Sequence, residues 1–263
     1  MLKFCSLFSG SSGNSIFIGT DKTKILIDAG LSGKKITEAL LSVGEDPANL
    51  NAILVSHEHD DHIRSLGILS RKYNIPVYAN EMTWEALRGN IKGIDAKNIK
   101  YFEANKEFEI CELGIKAFPV PHDANDPVGF CFFYGGKKIT VATDIGHVTQ
   151  QIRECIEGSY LLLLESNHDV KMLQVGNYPW WLKQRILGEN GHLSNEVAAE
   201  VVADMAEKGT QHFLLGHLSK NNNFPQLAYQ TTYNALTKRN IFPGKDITLE
   251  VAMRDSVSNV FCF

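Results

Sequence analysis

The sequence predicts an α/β protein in which two sheets are flanked by helices. Short apolar strands recur along the chain, and helical patterns follow them in two successive sets. No linker rich in Pro, Gly or Ser and no repeat divides the 263 residues, of which 44% are hydrophobic. We therefore expect one domain, residues 1–263, with two αβ halves arranged as a layered sandwich rather than a doubly wound sheet.

The first half opens with a hairpin, SIFIGT and KILIDAG around DKT, followed by the helix KKITEALLSVG and the strand NAILVS. From Asp60, the pattern DHIRSLGILSRKYN has four apolar side chains at helical spacing, which predicts one continuous helix. These side chains are Ile63, Leu66, Leu69 and Tyr73. The strand IPVYAN and the helix EMTWEALRG complete this half.

The second half opens with the strands KNIKYF, EFEIC and GIKAFPVPH, and then a hairpin, GFCFFYGGKKITVATD, closed by Gly135 and Gly136. Strands and helices alternate after it. In order they are VTQQIRECIEG, YLLLLES, SNEVAAEVVADMAEKG, HFLLGH, PQLAYQTTYNALTKR and ITLEVAM.

Charge and cysteine content limit the classes of function. The net charge of -4 argues against a protein that coats nucleic acid through overall basicity, so local contacts must hold any polyanion. The five cysteines lack CxxC spacing, which is typical of reduced thiols. The opening MLKFCSLFSGSSGN lacks the apolar region of an export signal, and YLLLL is far shorter than the ~20 residues that span a bilayer. We expect a cytoplasmic protein with no membrane partner.

The segment HEHDDH, residues 57–62, carries the strongest chemical signal. His57 and His59 lie two apart at a strand end, so an extended backbone points both imidazoles the same way. Asp61 and His62 follow where a helix begins, on the other side of the same space. A solvated charged turn is the alternative, but three histidines in six residues after a buried strand favour metal ligands.

Three further strands end in polar residues that bind metals. His122 follows GIKAFPV, Asp144 follows KITVAT and His217 follows HFLLG. Each alone could be a buried polar residue or a turn residue, but together they complete a site for two ions. We predict His57, His59 and His122 around one ion, Asp61, His62 and His217 around the other, and Asp144 bridging them.

A site for two neighbouring divalent cations indicates that the protein catalyses hydrolysis. They lower the pKa of a bridging water from 15.7 to about 7, which gives a hydroxide nucleophile, and they neutralise the oxygens of the transition state. Imidazole and carboxylate ligands accept zinc, manganese or iron.

The order HEHDDH, His122, Asp144, His217 resembles the pattern HxHxDH, H, D, H of the metallo-β-lactamase superfamily over nearly the whole chain. The resemblance implies a four-layer αββα sandwich of two mixed sheets with a dinuclear site at one edge. It also implies that Asp28, which ends ILIDAG, supports the metal-binding turn without binding metal. True dizinc β-lactamases carry Cys in place of Asp144, and flavodiiron reductases carry Glu in place of His59. Both differences argue against assigning this chain to either of those two groups.

The stretch GHLSNEVAAEVVADMAEKGTQHFLLGHLS looks like the tRNase Z and phosphodiesterase branch, which makes His192 a candidate general acid. The alternative is a surface loop histidine before a helix capped by Ser194. Together with GSSGNS, LLLLESNHD, GNYPWWLK and HLSKNNN, this stretch resembles the WalJ/YycJ (VicX) family of nucleases. That resemblance implies a 5′ to 3′ DNA exonuclease, with DNA favoured over RNA, in which His192 and Asp61 take part in catalysis.

Several other residues suit substrate binding, each with a structural alternative. His168, Ser194 and Asn222 could contact phosphate, or instead stabilise their own turns or cap a helix. Trp180 and Trp181 lie beside basic residues and suit stacking on a single strand. For these two, packing in the core or in a subunit contact is the expectation we favour.

Two rival functions remain open. A hydrolase of a small phosphodiester or thioester, similar to cyclic-nucleotide phosphodiesterases or glyoxalase II, should bind its substrate with little dependence on salt, whereas a nuclease should show a steep dependence. A metal-stabilised binding module without turnover would keep its metals and its affinity when His192 is replaced by Ala. An enzyme should instead lose about 10²-fold in rate.

Overall fold

The computed structural model describes residues 1–89, 91 and 93–263. The chain forms two compact units, each with its own hydrophobic core. The first comprises Met1–Ala117, Ala124–Val128 and Met253–Phe263, and the second comprises Phe118–Asp123 and Gly129–Ala252. That the two units constitute a single domain stays a prediction.

The strands of the described residues are, in chain order, β1 (Lys3–Phe8), β2 (Ser15–Gly19), β3 (Lys24–Ile27), β4 (Ala52–Leu54), β5 (Val77–Ala79), β6 (Ile99–Tyr101), β7 (Glu107–Ile110), β8 (Leu113–Pro119), β9 (Val128–Tyr134), β10 (Lys137–Ala142), β11 (Leu161–Glu165), β12 (His212–Gly216), β13 (Thr248–Val251) and β14 (Phe261–Cys262).

The α-helices of the same residues are α1 (Gly33–Ser42), α2 (Asp60–Ile63), α3 (Leu66–Tyr73), α4 (Glu81–Leu87), α5 (Gln150–Ile156), α6 (Val170–Val175), α7 (Trp180–Leu187), α8 (Asn195–Glu207) and α9 (Pro225–Lys238). Short 3-10 turns lie at Pro47–Asn49 and Ala96–Asn98. None of the described helices combines the length and apolarity needed to cross a bilayer.

The strands form two seven-stranded sheets, in the orders β14-β1-β2-β3-β4-β5-β6 and β13-β12-β11-β10-β9-β8-β7. Both sheets are mixed. In the first, β1 to β3 pair antiparallel and β3 to β6 pair parallel. In the second, β9 and β10 pair antiparallel, whereas β10 to β13 pair parallel. The predicted arrangement of two mixed sheets with helices is confirmed.

Both predicted hairpins are present. The strands β2 and β3 pair from Ile16 opposite Ile27 to Gly19 opposite Lys24, and β9 and β10 are joined through Gly135 and Gly136. These two glycines have φ values of 57° and 76°, in the left-handed region that the tight turn requires.

The parallel strands bring polar residues to one edge within each unit. In the first unit, Ile27 of β3 lies opposite Leu54 of β4, so Asp28 and the residues after β4 leave the sheet at the same edge. In the second unit, β10, β11 and β12 pair in parallel. Their carboxyl ends lead to Asp144, Glu165 and His217.

The prediction of one helix from Asp60 to Tyr73 is wrong, because this segment forms α2 and α3 with a break between them. The backbone N-H of Ser65 donates to the carbonyl of Ala29 at 2.9 Å, and its hydroxyl donates to the same oxygen at 3.2 Å. These bonds to a distant loop replace the helical bond that Ser65 would otherwise make. The apolar face is nevertheless as predicted, with Ile63, Leu66 and Leu69 buried.

Of the two alternatives favoured for Trp180 and Trp181, packing in the core is wrong, and packing in a subunit contact stays a prediction. Their side chains are 73% and 65% exposed, and α7 has no buried residue. A helix normally buries one apolar face against the protein, so this exposure sets α7 apart from α8, whose inner face is buried.

Candidate functional site

In the first unit, Asp28 organises the loop that follows β4. Its Oδ1 accepts the backbone N-H of Ser56 at 2.8 Å, and its Oδ2 accepts the Ser56 hydroxyl at 2.8 Å and Nδ1 of His62 at 2.7 Å. Because a carboxylate only accepts, Nδ1 of His62 carries the proton and Nε2 keeps its lone pair. Asp28 is 3% exposed and adopts a φ of 61°, an unusual backbone conformation of the kind that clusters at functional sites.

His57 and His59 point ring nitrogens at the same place. Nε2 of His57 lies 3.1 Å from Nδ1 of His59, while Nδ1 of His57 lies 3.0 Å from the Ser56 hydroxyl. Two nitrogens bound to one tetrahedral zinc at 2.0–2.1 Å would lie about 3.3 Å apart. The observed separation therefore suits a shared cation with little movement.

Asp61 and His62 form a second pair in the same unit. Oδ2 of Asp61 lies 3.7 Å from Nε2 of His62. The Asn14 side-chain amide contacts both, at 3.4 Å from Oδ2 of Asp61 and 3.0 Å from Nε2 of His62. Asn14 thus orients the two groups, and a cation bound by Nε2 would replace its contact with that nitrogen.

In the second unit, Asp144, Glu165 and His217 lie at the carboxyl ends of three neighbouring strands. Nδ1 of His217 lies 3.0 Å from Oδ1 of Asp144 and 3.3 Å from Oε1 of Glu165. All three side chains are almost fully buried, and Asp144 and His217 have φ values of 58° and 54°. Because Nδ1 faces two carboxylates, Nε2 of His217 is the nitrogen suited to a metal.

His122 also presents its Nε2. Its Nδ1 lies 3.1 Å from the carbonyl oxygen of Gly191, which can only accept, so Nδ1 carries the proton. Burial lowers the pKa of His122, and this favours the neutral imidazole that a metal requires. Nε2 lies 3.8 Å from Oδ1 of Asp144.

Glu165 is a candidate site residue that the sequence pattern did not predict. Its Oε1 accepts Nδ1 of His192 at 2.8 Å, and its Oε2 accepts the backbone N-H groups of Ile145 and Leu193, each at 3.0 Å. Burial opposes the ionised form, but the neighbouring His192 and His217 hold the pKa of Glu165 below its usual value. An acid at the end of the apolar run YLLLL was the available signal.

The Glu165 carboxylate in turn controls His192. Burial disfavours the imidazolium, but the charge and hydrogen bond of Glu165 outweigh it and raise the pKa of His192 to about 9. His192 is therefore protonated at neutral pH in the metal-free protein. Its side chain is 21% exposed, so it can reach a ligand from the solvent side.

A pocket of about 220 Å³ lies beside His192 in the second unit. His147, His168, His192 and Ser194 contribute polar groups to its lining, and valine and leucine side chains contribute most of the rest. His168 is 1% exposed, and neither ring nitrogen has a hydrogen-bond partner among the residues that the structure describes. Burial lowers the pKa of His168 to about 4, so its ring is neutral.

The other two predicted substrate contacts, Ser194 and Asn222, differ in what their side chains bind. The Ser194 hydroxyl accepts the N-H of Val197 at 3.3 Å and so caps α8, the structural alternative considered for it. Asn222 is 1% exposed, and its side-chain nitrogen has no hydrogen-bond partner among the described residues. Its backbone carbonyl accepts the N-H of Asp169 at 2.9 Å, which joins two loops of this unit.

The donor atoms fit divalent metal binding. In the second unit, one ligand atom from each of four residues lies within 4.8 Å of the others. These residues are Asp144, Glu165, His192 and His217. The first unit adds the convergent His57 and His59 nitrogens and the Asp61 carboxylate. Imidazoles with defined tautomers beside buried carboxylates are the ligands that zinc, manganese and iron accept.

The structure therefore gathers four predicted ligands in the first unit, His57, His59, Asp61 and His62, and three in the second, His122, Asp144 and His217. That these two sets share one pair of ions stays a prediction.

Residues 23–218 match the family model described as a β-lactamase superfamily domain. The chain is 43% identical over 246 residues to the exodeoxyribonuclease WalJ of Streptococcus pneumoniae serotype 2, covering 93% of this chain and 91% of that protein. It is 42% identical to the exodeoxyribonuclease YycJ of Bacillus anthracis, covering 93% of this chain and 92% of that protein.

Among solved structures, zinc-bound PqqB from Methylobacterium extorquens superposes with a TM-score of 0.71 at 16% identity, covering 98% of this chain and all of that one. At this identity the superposition supports the fold alone, and it confirms the predicted fold class. Sequence and fold together place the chain: it belongs to the β-lactamase superfamily, in the family that includes the WalJ and YycJ proteins.

Proposed function

We propose that this protein is a metal-dependent phosphodiesterase that digests DNA as an exonuclease from the 5′ end. The observation that carries the proposal is its 43% identity, over 93% of the chain, to a protein named exodeoxyribonuclease WalJ. The His192–Glu165 pair and the adjoining pocket supply the chemistry that phosphodiester hydrolysis needs. The absence of a disulfide among the described residues supports a cytoplasmic location.

We assign seven side chains to two divalent ions, which are zinc, manganese or iron. His57, His59 and His122 would hold one ion, Asp61, His62 and His217 would hold the other, and Asp144 would be shared between them. When bound, such ions supply a hydroxide nucleophile at neutral pH and offset the charge of the transition state. Asp28 fixes the tautomer of His62 and the position of the turn, and Asp61 takes part in catalysis as a ligand.

His192 serves as the general acid. Glu165 holds its Nδ1, so Nε2 carries the proton that is given to the leaving oxygen of the phosphodiester. Two buried backbone N-H groups fix the other Glu165 oxygen, so the carboxylate cannot turn away from His192. The dyad therefore positions one proton donor in one orientation.

The pocket beside His192 receives the substrate phosphate and its sugar. The N-H of the neutral His168 ring, the Ser194 hydroxyl hydrogen and the Asn222 amide are the donors we assign to the phosphate. The N-terminus of α8 adds partial positive charge at the same place. The apolar part of the lining suits a sugar face, and the volume restricts the site to roughly one nucleotide.

The deciding experiment incubates metal-loaded protein with oligonucleotides labelled at the 5′ or 3′ end, beside bis(p-nitrophenyl) phosphate. We expect mononucleotides to be released from the 5′ end, DNA to be preferred over RNA, and activity to be lost with EDTA or with His192→Ala. No release from any of these substrates would refute the proposal.

Two further measurements test the metal content and the class of substrate. Metal analysis by mass spectrometry should give two ions per chain, and His57→Ala with His59→Ala should remove one. Affinity for DNA should fall steeply with added salt. A shallow dependence, with turnover of a small ester only, would instead indicate a hydrolase of small phosphodiesters or thioesters.

A further inference from the structure

The segment from α6 to α7, residues 170–188, is unusual in how little of it is buried. Leu173 is its only buried residue, whereas Val175 is 84% exposed and the two indoles of α7 are 73% and 65% exposed. Tryptophan combines a large apolar face with a polar N-H and is enriched where proteins contact partners. Two such side chains left in solvent on one short helix indicate a contact surface.

The segment is nevertheless firmly attached to the second unit. Leu173 is fully buried, and Asn221 donates from its side chain to the Tyr178 hydroxyl at 3.2 Å. At the other end, the N-H of His192 donates to the carbonyl of Ile186 at 3.0 Å. The exposed indoles therefore lie on a helix that is fixed to the second unit. Its last turn is hydrogen-bonded to the backbone of His192, the proposed general acid.

The charge of the segment favours an anionic partner. Residues 170–188 contain Lys171, Lys183 and Arg185 and neither Asp nor Glu, although the whole chain has a net charge of -4. On α7, Lys183 follows Trp180 by three residues and Arg185 follows Trp181 by four, so each basic residue lies on the same side of the helix as an indole. Lys183 also donates to the Gln174 carbonyl at 2.6 Å, and Arg185 is paired with Asp123.

We propose that Trp180 and Trp181, with Lys183 and Arg185, form a stacking platform for single-stranded nucleic acid, which presents the strand to the pocket beside His192. This inference rests on the proposed function. Leu187, in the last turn of α7, lines that pocket, so platform and pocket adjoin within one unit. Stacking on indole is tolerant of sequence and needs unpaired bases, while the cations follow the phosphates.

A second copy of this chain is the rival occupant. Arg185 is already paired with Asp123, but two such segments placed against each other would still bring four lysines together with no acid of either segment, which is unfavourable, whereas a phosphate backbone neutralises them. The charge pattern therefore favours nucleic acid.

Binding to metal-free protein in EDTA tests the platform apart from catalysis. We expect Trp180→Ala and Trp181→Ala each to weaken the affinity for a single strand of about 15 nucleotides by about 10-fold, measured by fluorescence anisotropy. Affinity for a duplex of the same sequence should change far less, because its bases are already stacked. In both variants the slope of log affinity against log salt concentration should equal that of wild type. Lys183→Gln should reduce the magnitude of this slope by about 1.

Controls separate stacking from damage. Tyr101→Ala removes an aromatic side chain that is 56% exposed in the first unit, and it should bind as wild type does. Hydrolysis of bis(p-nitrophenyl) phosphate by the metal-loaded tryptophan variants should be unchanged. Single strands should quench wild-type indole emission but not that of the double variant, whose remaining Trp84 is buried.

Unchanged single-strand affinity in both tryptophan variants would overturn the inference. So would a dimer that the substitutions dissociate while DNA affinity stays the same, measured by sedimentation. If wild type digests DNA and these variants do so equally well, the platform fails and the proposed function stands. If wild type digests no nucleic acid yet binds single strands through the tryptophans, the proposed function fails and the platform stands.

Discussion

Nδ1 of His192 donates to Oε1 of Glu165 at 2.8 Å, and Glu165 is fully buried. The two residues are 27 positions apart in the sequence, and this hydrogen bond makes the charge state of each depend on the other. The carboxylate keeps the imidazole charged at neutral pH, and the imidazolium, with two backbone N-H groups, keeps the buried carboxylate ionised. A proton donor that stays protonated near pH 7 is what departure of an alkoxide from phosphorus requires.

Replacing Glu165 by Gln should therefore change how activity depends on pH. His192 must be protonated to act, and Glu165 raises its pKa to about 9 against the effect of burial. Activity is present below that pKa and is lost as the pH rises through it. Bound cations lower the value, so the prediction concerns the difference between two proteins: Glu165→Gln should lose activity at a lower pH than wild type. The measurement is a pH-rate profile from pH 6 to pH 10.

The double variant supplies the control. His192→Ala should lower the rate by about 10²-fold and remove this limb of the profile, and adding Glu165→Gln to it should change little further, because the two residues act as a unit. Additive losses in the double variant would show that Glu165 works independently of His192.

Replacing Asp28 by Asn should weaken metal binding without removing a ligand. An amide cannot accept the three hydrogen bonds that hold the Ser56 backbone, the Ser56 hydroxyl and His62. We expect metal affinity to fall by about 10- to 100-fold, measured by competition with a chromogenic chelator.

Asp60→Asn is the matched control. Asp60 belongs to the same acidic segment, but its side chain is exposed and is not an assigned ligand, so the variant should bind metal as wild type does. Equal losses in the two variants would mean that the overall negative charge of the segment, rather than the bonds of Asp28, sets the affinity.

The strand-end pattern was enough to predict where the candidate ligands lie in the fold, because it depends on local sequence. A buried strand followed by His or Asp is visible in the letters before His122, Asp144 and His217, and each of these residues does follow a strand. The strand register then brings Asp144 and His217 together, at 3.0 Å between Oδ1 and Nδ1.

Other features depend on contacts that are distant in sequence. The break before α3 arises because Ser65 binds the carbonyl of Ala29, and nothing near Ser65 predicts that. Glu165 resembles any strand-end acid until His192 is placed beside it. The exposure of Trp181 could not be predicted either, since an aromatic pair in a helix more often faces the core.

Replacing Gly30 by Ala should destabilise the loop that carries Asp61. A Cβ at Gly30 would lie 1.6 Å from the backbone carbonyl oxygen of Asp61 and 2.7 Å from the backbone nitrogen of Asn14, and neither backbone can move without breaking the hydrogen bond that joins them, at 2.8 Å. We expect a loss of about 1–3 kcal/mol in the free energy of unfolding, measured by urea denaturation, together with weaker metal binding.

Gly33→Ala provides the comparison, because a Cβ there meets Ile68 at 3.5 Å, an ordinary contact, and Gly33 begins α1. This variant should keep or slightly raise the stability, since Ala favours the helix. If both variants lost stability equally, the close approach at Gly30 would not be the cause.

Replacing His168 by Gln should flatten the pH dependence of stability in the acid range. Burial lowers the pKa of His168 from 6.5 to about 4, so between these values the unfolded chain binds a proton that the folded chain does not. This contribution is fully present above pH 6.5 and is lost as the pH falls towards 4, a difference of about 3 kcal/mol at most. Urea denaturation in EDTA at pH 4, 5, 6 and 7 measures this difference.

The matched control is His147→Gln, which alters an exposed histidine that lines the same pocket. Its stability should depend on pH as steeply as that of wild type. A His168→Gln protein whose stability falls as steeply as that of wild type would mean that the buried carboxylates, rather than His168, govern the acid range.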